Sequence, residues 1–134
     1  MPRVYRIMKK DDDERPTLGP RSLGVRSSEV DVDGANHVQV NGKGMSVSPR
    51  WRDISITRIP RRLRDKVRGA LGSNNSFCFR FGSGPFMKGP FALGLTLEPD
   101  SPHHGTIAPV AAVPFETYQI DLEATRPDWH IDET

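Results

Sequence analysis

Cysteine is almost missing from this chain: Cys78 is the only one in 134 residues. One thiol excludes an internal disulfide framework and any zinc site that needs two or more thiolates, and it points to a reducing compartment. Long apolar runs are missing as well, since no stretch reaches the ~18–20 residues of a membrane-spanning helix. The opening residues, Met1-Pro2-Arg3-Val4-Tyr5-Arg6, are basic but lack the apolar segment of a secretory signal. The expected location is therefore the cytoplasm, with no membrane partner. Apolar side chains make up only 35% of the chain, against ~45–50% in a typical globular domain. What is plentiful is glycine and proline, twelve of each. That excess argues against a helical bundle or coiled coil but stays below the ~25–30% of low-complexity chains. Length and composition together predict one domain over residues 1–134, either α+β or mostly β, with a single sizeable core.

The formal net charge is only +2, and it conceals an asymmetry. Arg50 to Arg68 holds eight basic and two acidic residues, a net of +6. Pro114 to the carboxyl end holds six acidic residues against Arg126, a net of −5. Such a basic block reads as a solvated or self-paired face, or as a phosphate-binding footprint for RNA or DNA centred on Arg58 to Arg68.

Hydrophobic patterning supplies the elements. Val4 to Met8 reads as a first strand, ended by the polar run Lys9 to Glu14. Val30 to Val40 alternates around the turn dipeptide Asp33-Gly34, as in a hairpin. Arg61 to Leu71 is expected to be a short helix with Leu63, Val67, Ala70 and Leu71 on one face and Gly72 as its stop. Phe77, Phe79 and Phe81 alternate as the inner face of a strand. Phe91 to Leu97 reads as a strand broken at Gly94. Thr106 to Val113, with Pro109 inside it, reads as an edge strand or bulge. Phe115 to Ala124 reads as a helix with Tyr118 and Leu122 facing inward.

Few residues suggest chemistry. The four histidines have no metal-ligand spacing, so no metal site is expected. Cys78, between two phenylalanines, reads as an inert buried thiol. Three places stand out. Arg6 lies inside an apolar strand, where a charge either points to water or faces a cleft with an anionic partner. Ser46 and Ser48, two residues apart, share one face of an extended segment. Gly42 and Gly44 before them permit close approach by a ligand or another backbone. His104 to Pro109 leads into a late strand followed by Glu116.

In that order, a strand arginine, a glycine-led Ser-x-Ser and a late strand with an acid after it resemble the arginine–serine–glutamate ADP-ribosyltransferases. Gly42-x-Gly44-Met45-Ser46-Val47 and His104-x-Thr106-Ile107-x-Pro109-Val110 look like the matching stretches of the Tse-two-like family of type VI secretion toxins, from about Asp33 to Ala124. The resemblance implies an α+β, ADP-ribosyltransferase-like fold: two small, mainly antiparallel sheets around a cleft, with a few short helices. It implies a toxin that binds NAD and transfers or hydrolyses ADP-ribose in a target-cell cytoplasm, held in check by a cognate immunity or antitoxin protein. Arg6, Ser46 and Glu116 would be catalytic, and Tyr5, Arg6, Ser46, Ser48 and His104 would bind the cofactor. Tyr5 or Phe79 would stack on nicotinamide. Glu116 departs from the family pattern, since Pro114 stands where a glutamine or glutamate precedes the acid. Two alternatives stay open: a non-catalytic interaction domain of the same fold, and a nucleic-acid-binding module working through the basic block.

Overall fold

The computed structural model describes all residues 1–134. Strand β1 (Val4–Met8) is followed by β2 (His37–Val38), β3 (Met45–Val47), β4 (Phe77–Phe81), β5 (Gly89–Ala92), β6 (Leu95–Ser101), β7 (His104–Pro109) and β8 (Val113–Pro114). Helix α1 (Phe115–Glu123) and strand β9 (Trp129–Ile131) complete the chain. The strands form three sheets, ordered β1-β4-β9, β2-β8 and β3-β7-β6-β5. Every pairing between these strands is antiparallel. The molecule is thus α+β and mainly antiparallel, as expected, with a third, two-stranded sheet beyond the two anticipated. No helix is long and apolar enough to cross a membrane.

All five residues of β1 are buried, because its sheet is covered on both faces. Val4 and Met8 join the larger core of 17 buried residues, which also holds Phe79, Phe81, Phe91, Trp129 and the inner face of α1. Phe81 stacks on Phe91 with ring centroids 4.1 Å apart, a contact that adds to plain area burial. Tyr5 and Ile7 point the other way, into a smaller core with Cys78, Trp51, Ile59, Leu63 and Ala70. By the two-residue period of a strand, Arg6 shares the face of Val4 and Met8 and is directed toward the second sheet. It does not point to water.

The hairpin-like excursion is present: Val32 bridges Val38, and the Asp33 carboxylate accepts from the backbone N–H groups of Ala35 and His37. Helix α1 and strand β4 also fall where the patterning puts them.

Three expectations are corrected. The segment from Arg61 to Leu71 is not a helix. It is a 3-10 turn at Arg61–Leu63 followed by further turns, with Gly69 at φ +84°. Its cations at 61, 62, 64, 66 and 68 would crowd successive turns of a helix, where like charges repel. Phe91 to Leu97 is not one broken strand but two, β5 and β6, joined by a tight turn in which Gly94 takes φ +78°. Finally, β7 is no edge strand, since β3 and β6 flank it. Pro109 is tolerated because it stands at the strand's last position, where a missing N–H costs least.

Candidate functional site

The two larger sheets touch at one point and then part. Tyr5 of β1 and Ser48, just past β3, exchange backbone hydrogen bonds of 2.7 and 3.0 Å. Beyond that bridge the strands splay, and Arg6 fills the fork. Its side chain is 5% exposed. Nε donates to Ser22 O (2.7 Å), Nη1 to Ser46 O (2.9 Å) and Nη2 to Gly24 O (3.4 Å). One guanidinium thereby ties β1 to β3 and to the irregular segment 22–25. A guanidinium carries five N–H donors, so two remain for another partner.

No carboxylate pairs with Arg6. Burial, followed by the nearby positive charge of Arg58, lowers its pKa to about 10, with Glu29 opposing them. A buried cation held by carbonyls alone is costly unless further negative charge reaches it.

Two cavities open on either side of this fork, and both are walled by Arg6, Ile7, Ser46 and Arg58. The larger, about 650 Å³, also carries Lys9, Arg21, Glu29 and a set of hydroxyls that includes Ser22 and Thr57. The smaller, about 290 Å³, carries Tyr5, Ser48, Asp53, His103 and His104. Arg58 spans the divide and donates through Nη2 to Ile7 O at 3.2 Å. Burial lowers its pKa, Glu29 raises it and Arg21 lowers it.

The structure brings together five of the six site residues expected from sequence. Arg6 and Ser46 meet at the fork. Ser46 is exposed into both cavities, while Ser48 is buried against the smaller one. Tyr5 lies at the edge of the second core, its hydroxyl donating to Asp132 (3.2 Å), and burial followed by the Asp132 charge raises its pKa. His104 stands at the mouth of the smaller cavity with Nδ1 2.9 Å from the Asp100 carboxylate oxygens.

Glu116 does not join them. It opens α1, exposed, and accepts from the Asn36 side chain at 3.0 Å. It lines neither cavity. An acid in the first turn of a helix suits the macrodipole, and here it also holds the Asn36 side chain. Phe79 is fully buried in the main core, so it has no face to offer a ligand.

Sequence reasoning missed Asp53, His103, Glu29 and the role of Arg58. Asp53 and His103 approach to 3.5 Å across the mouth of the smaller cavity, although they are far apart in sequence. No local spacing reveals such a pair. Arg58 was legible only as one member of a basic block. That block is in fact divided: Arg62 pairs with Glu133 (2.5 Å), Arg64 donates to Ala70 O, Arg50 pairs with Asp53, and Arg58 enters the cleft. Part of the +6 segment is thus tied to the acidic carboxyl end or to its own backbone.

Cys78 is buried, and its thiol is pushed up to about 12 by burial and then by the Glu133 charge. It is no nucleophile. No protein-family model, curated protein or solved structure matches this chain.

Proposed function

We propose that this chain is an ADP-ribosyltransferase-like domain that binds NAD in the cleft between its two larger sheets and acts as a toxin. The observation that carries the reading is the meeting of Arg6 and Ser46 at the fork where β1 and β3 part. Two motifs 40 residues apart in sequence, each unremarkable alone, converge in one cleft of cationic and hydroxyl character. The donor set suits a dinucleotide: guanidinium groups match phosphate oxygens in geometry and charge. Serine hydroxyls suit ribose and carboxamide groups.

NAD supplies a glycosidic bond whose cleavage leaves positive charge on the ribose. A carboxylate in the smaller cavity stabilises that charge electrostatically. Asp53, which lines the cavity together with Ser46, Ser48 and His104, takes the part that Glu116 is too remote to play. The exposed His103, 3.5 Å from an Asp53 carboxylate that Arg50 holds in place, accepts the proton of the attacking water or acceptor. Arg6 and Ser46 hold the substrate across the fork. As a toxin the chain requires an immunity partner, for which the remaining exposed charges offer steering.

Purified protein is expected to consume NAD and release nicotinamide. Ser46→Ala removes a hydroxyl exposed in the cleft and leaves its backbone carbonyl, the Arg6 acceptor, in place. That variant should remain folded and lose at least about tenfold in turnover, some 1.4 kcal/mol of transition-state stabilisation. Glu116→Gln should leave turnover unchanged. Absence of turnover with NAD still bound would assign the chain to the non-catalytic alternative. Absence of both would overturn the reading.

A further inference from the structure

We infer that the larger cavity is a diphosphate-binding chamber in which Arg58, Arg21 and Lys9 complete the charge that Arg6 begins. The inference deepens the reading above and rests on it for the ligand's other half, but its physical basis is separate. Four cations line this one cavity, Arg6, Lys9, Arg21 and Arg58, against the single carboxylate of Glu29. A concave surface with such an excess of positive charge is self-repelling unless an anion fills it.

The cations are not absorbed elsewhere. Arg6 gives three donors to carbonyls and has two left. Arg58 uses one nitrogen on Ile7 O. No ion pair engages Lys9, Arg21 or Arg58, whereas Arg62, Arg80 and Arg126 each have a carboxylate partner. Around the cations stand the hydroxyls of Ser73 and Ser76, whose O–H groups donate to nothing in the fold and suit phosphate oxygens that the arginines leave free, while Thr17 donates to Ser22 and Ser22 to Lys9 O. The smaller cavity differs in kind. It holds Asp53 and two histidines beside the shared arginines, so a dianionic group is favoured on the larger side only. The ligand is thereby oriented, with its diphosphate in the larger chamber and its cationic nicotinamide end toward Asp53.

Calorimetry on the full chain with inorganic pyrophosphate, orthophosphate and ADP-ribose as separate probes tests this. Pyrophosphate and ADP-ribose are expected to bind at least tenfold more tightly than orthophosphate. Arg58→Gln should weaken both by tenfold or more. Because Arg58 also braces Ile7, Lys9→Gln and Arg21→Gln serve as second variants. Neither side chain makes a hydrogen bond in the fold, and each should weaken pyrophosphate severalfold with an unchanged melting temperature. Arg61→Gln, in the exposed basic segment outside the chamber, should change nothing.

Equal loss in Arg61→Gln would mean diffuse basicity and would overturn the chamber. So would unaltered pyrophosphate affinity in all three chamber variants, or a preference for a short RNA over pyrophosphate. NAD turnover that is insensitive to the three substitutions would sink this inference and leave the catalytic reading standing. Pyrophosphate binding lost in the variants, with no NAD turnover in the parent, would do the reverse.

Discussion

Tyr118 joins three elements through one oxygen. From α1 its hydroxyl donates to Ile107 O of β7 (2.5 Å) and accepts from Met45 N of β3 (3.0 Å). Burial is the main reason that its pKa is raised. Gly44 makes the arrangement possible, since a Cβ there would collide with the Ile107 carbonyl and the Tyr118 hydroxyl. Of the two approaches its glycine allows, a backbone or a ligand, it is the backbone that comes close. Tyr118→Phe would strand a buried N–H and a buried carbonyl, at about 1–3 kcal/mol. Chemical denaturation should show that loss, and the proposed NAD turnover should fall with it because Ser46 is the next residue along β3. Full stability in Tyr118→Phe would mean that water replaces the hydroxyl. At this scale the sequence was legible in part. The period of β1 places Arg6 on the face of Val4 and Met8. Its acceptors in residues 22–25 were not readable, because carbonyls in an irregular segment leave no pattern.

Elements were legible where one face packs and one does not. Helix α1 buries Tyr118 and Leu122 and exposes Glu116 and Ile120, so its spacing survives in the sequence. Arg61 to Leu71 carries a similar apolar spacing, yet Leu63 and Ala70 are buried while Leu71 is exposed. Its apolar residues fill the second core through successive turns, and spacing alone does not separate that from a helix. Strand β9 escaped notice for another reason: its three residues depend on the carboxyl-terminal residues Asp132 and Glu133. Asp132 N donates to Cys78 O. The Glu133 carboxylate accepts from Cys78 N (3.1 Å) and from Arg62, and Lys66 donates to Glu133 O (2.7 Å). The carboxyl end thus continues the edge of the three-stranded sheet with a side chain where a backbone acceptor would be. Glu133→Ala should cost about 1–3 kcal/mol by leaving the Cys78 N–H unpaired, and hydrogen exchange at Cys78 should quicken. Glu133→Gln, which keeps an acceptor, should restore much of the protection. Equal exchange in both variants would mean that the ion pair with Arg62, and not the accepted N–H, holds this edge.

In the whole molecule the two larger sheets are tied across their fork by a buried arginine, and the buried and paired titratable groups around them should mark its stability in pH. On the acid side three carboxylates matter. Asp13 is pulled below its ordinary range by the Arg126 side chain, and Asp33 by the backbone N–H groups of His37 and Ala35. Burial raises Asp132, but Thr134, Tyr5 and Arg80 outweigh it and leave it lowered. Groups depressed in the folded state stabilise it above their unfolded pKa, near 4, and lose that contribution as pH falls further. On the alkaline side, Cys78 is raised from 9.0 to about 12, chiefly by burial. The unfolded chain therefore releases this proton first, and stability falls as pH rises through 9. Tyr5 and Tyr118, both raised, act in the same direction at higher pH. Between pH 9 and 10 the thiol therefore dominates, contributing up to about 1.4 kcal/mol of lost stability per pH unit. Urea unfolding of the parent and of Cys78→Ala, each at about pH 8 and about pH 10, isolates it. The alanine variant starts lower because it opens a cavity, but it should lose less stability over that interval than the parent does. If the two lose the same amount, the thiol ionises as readily folded as unfolded, and water reaches the core beneath β4.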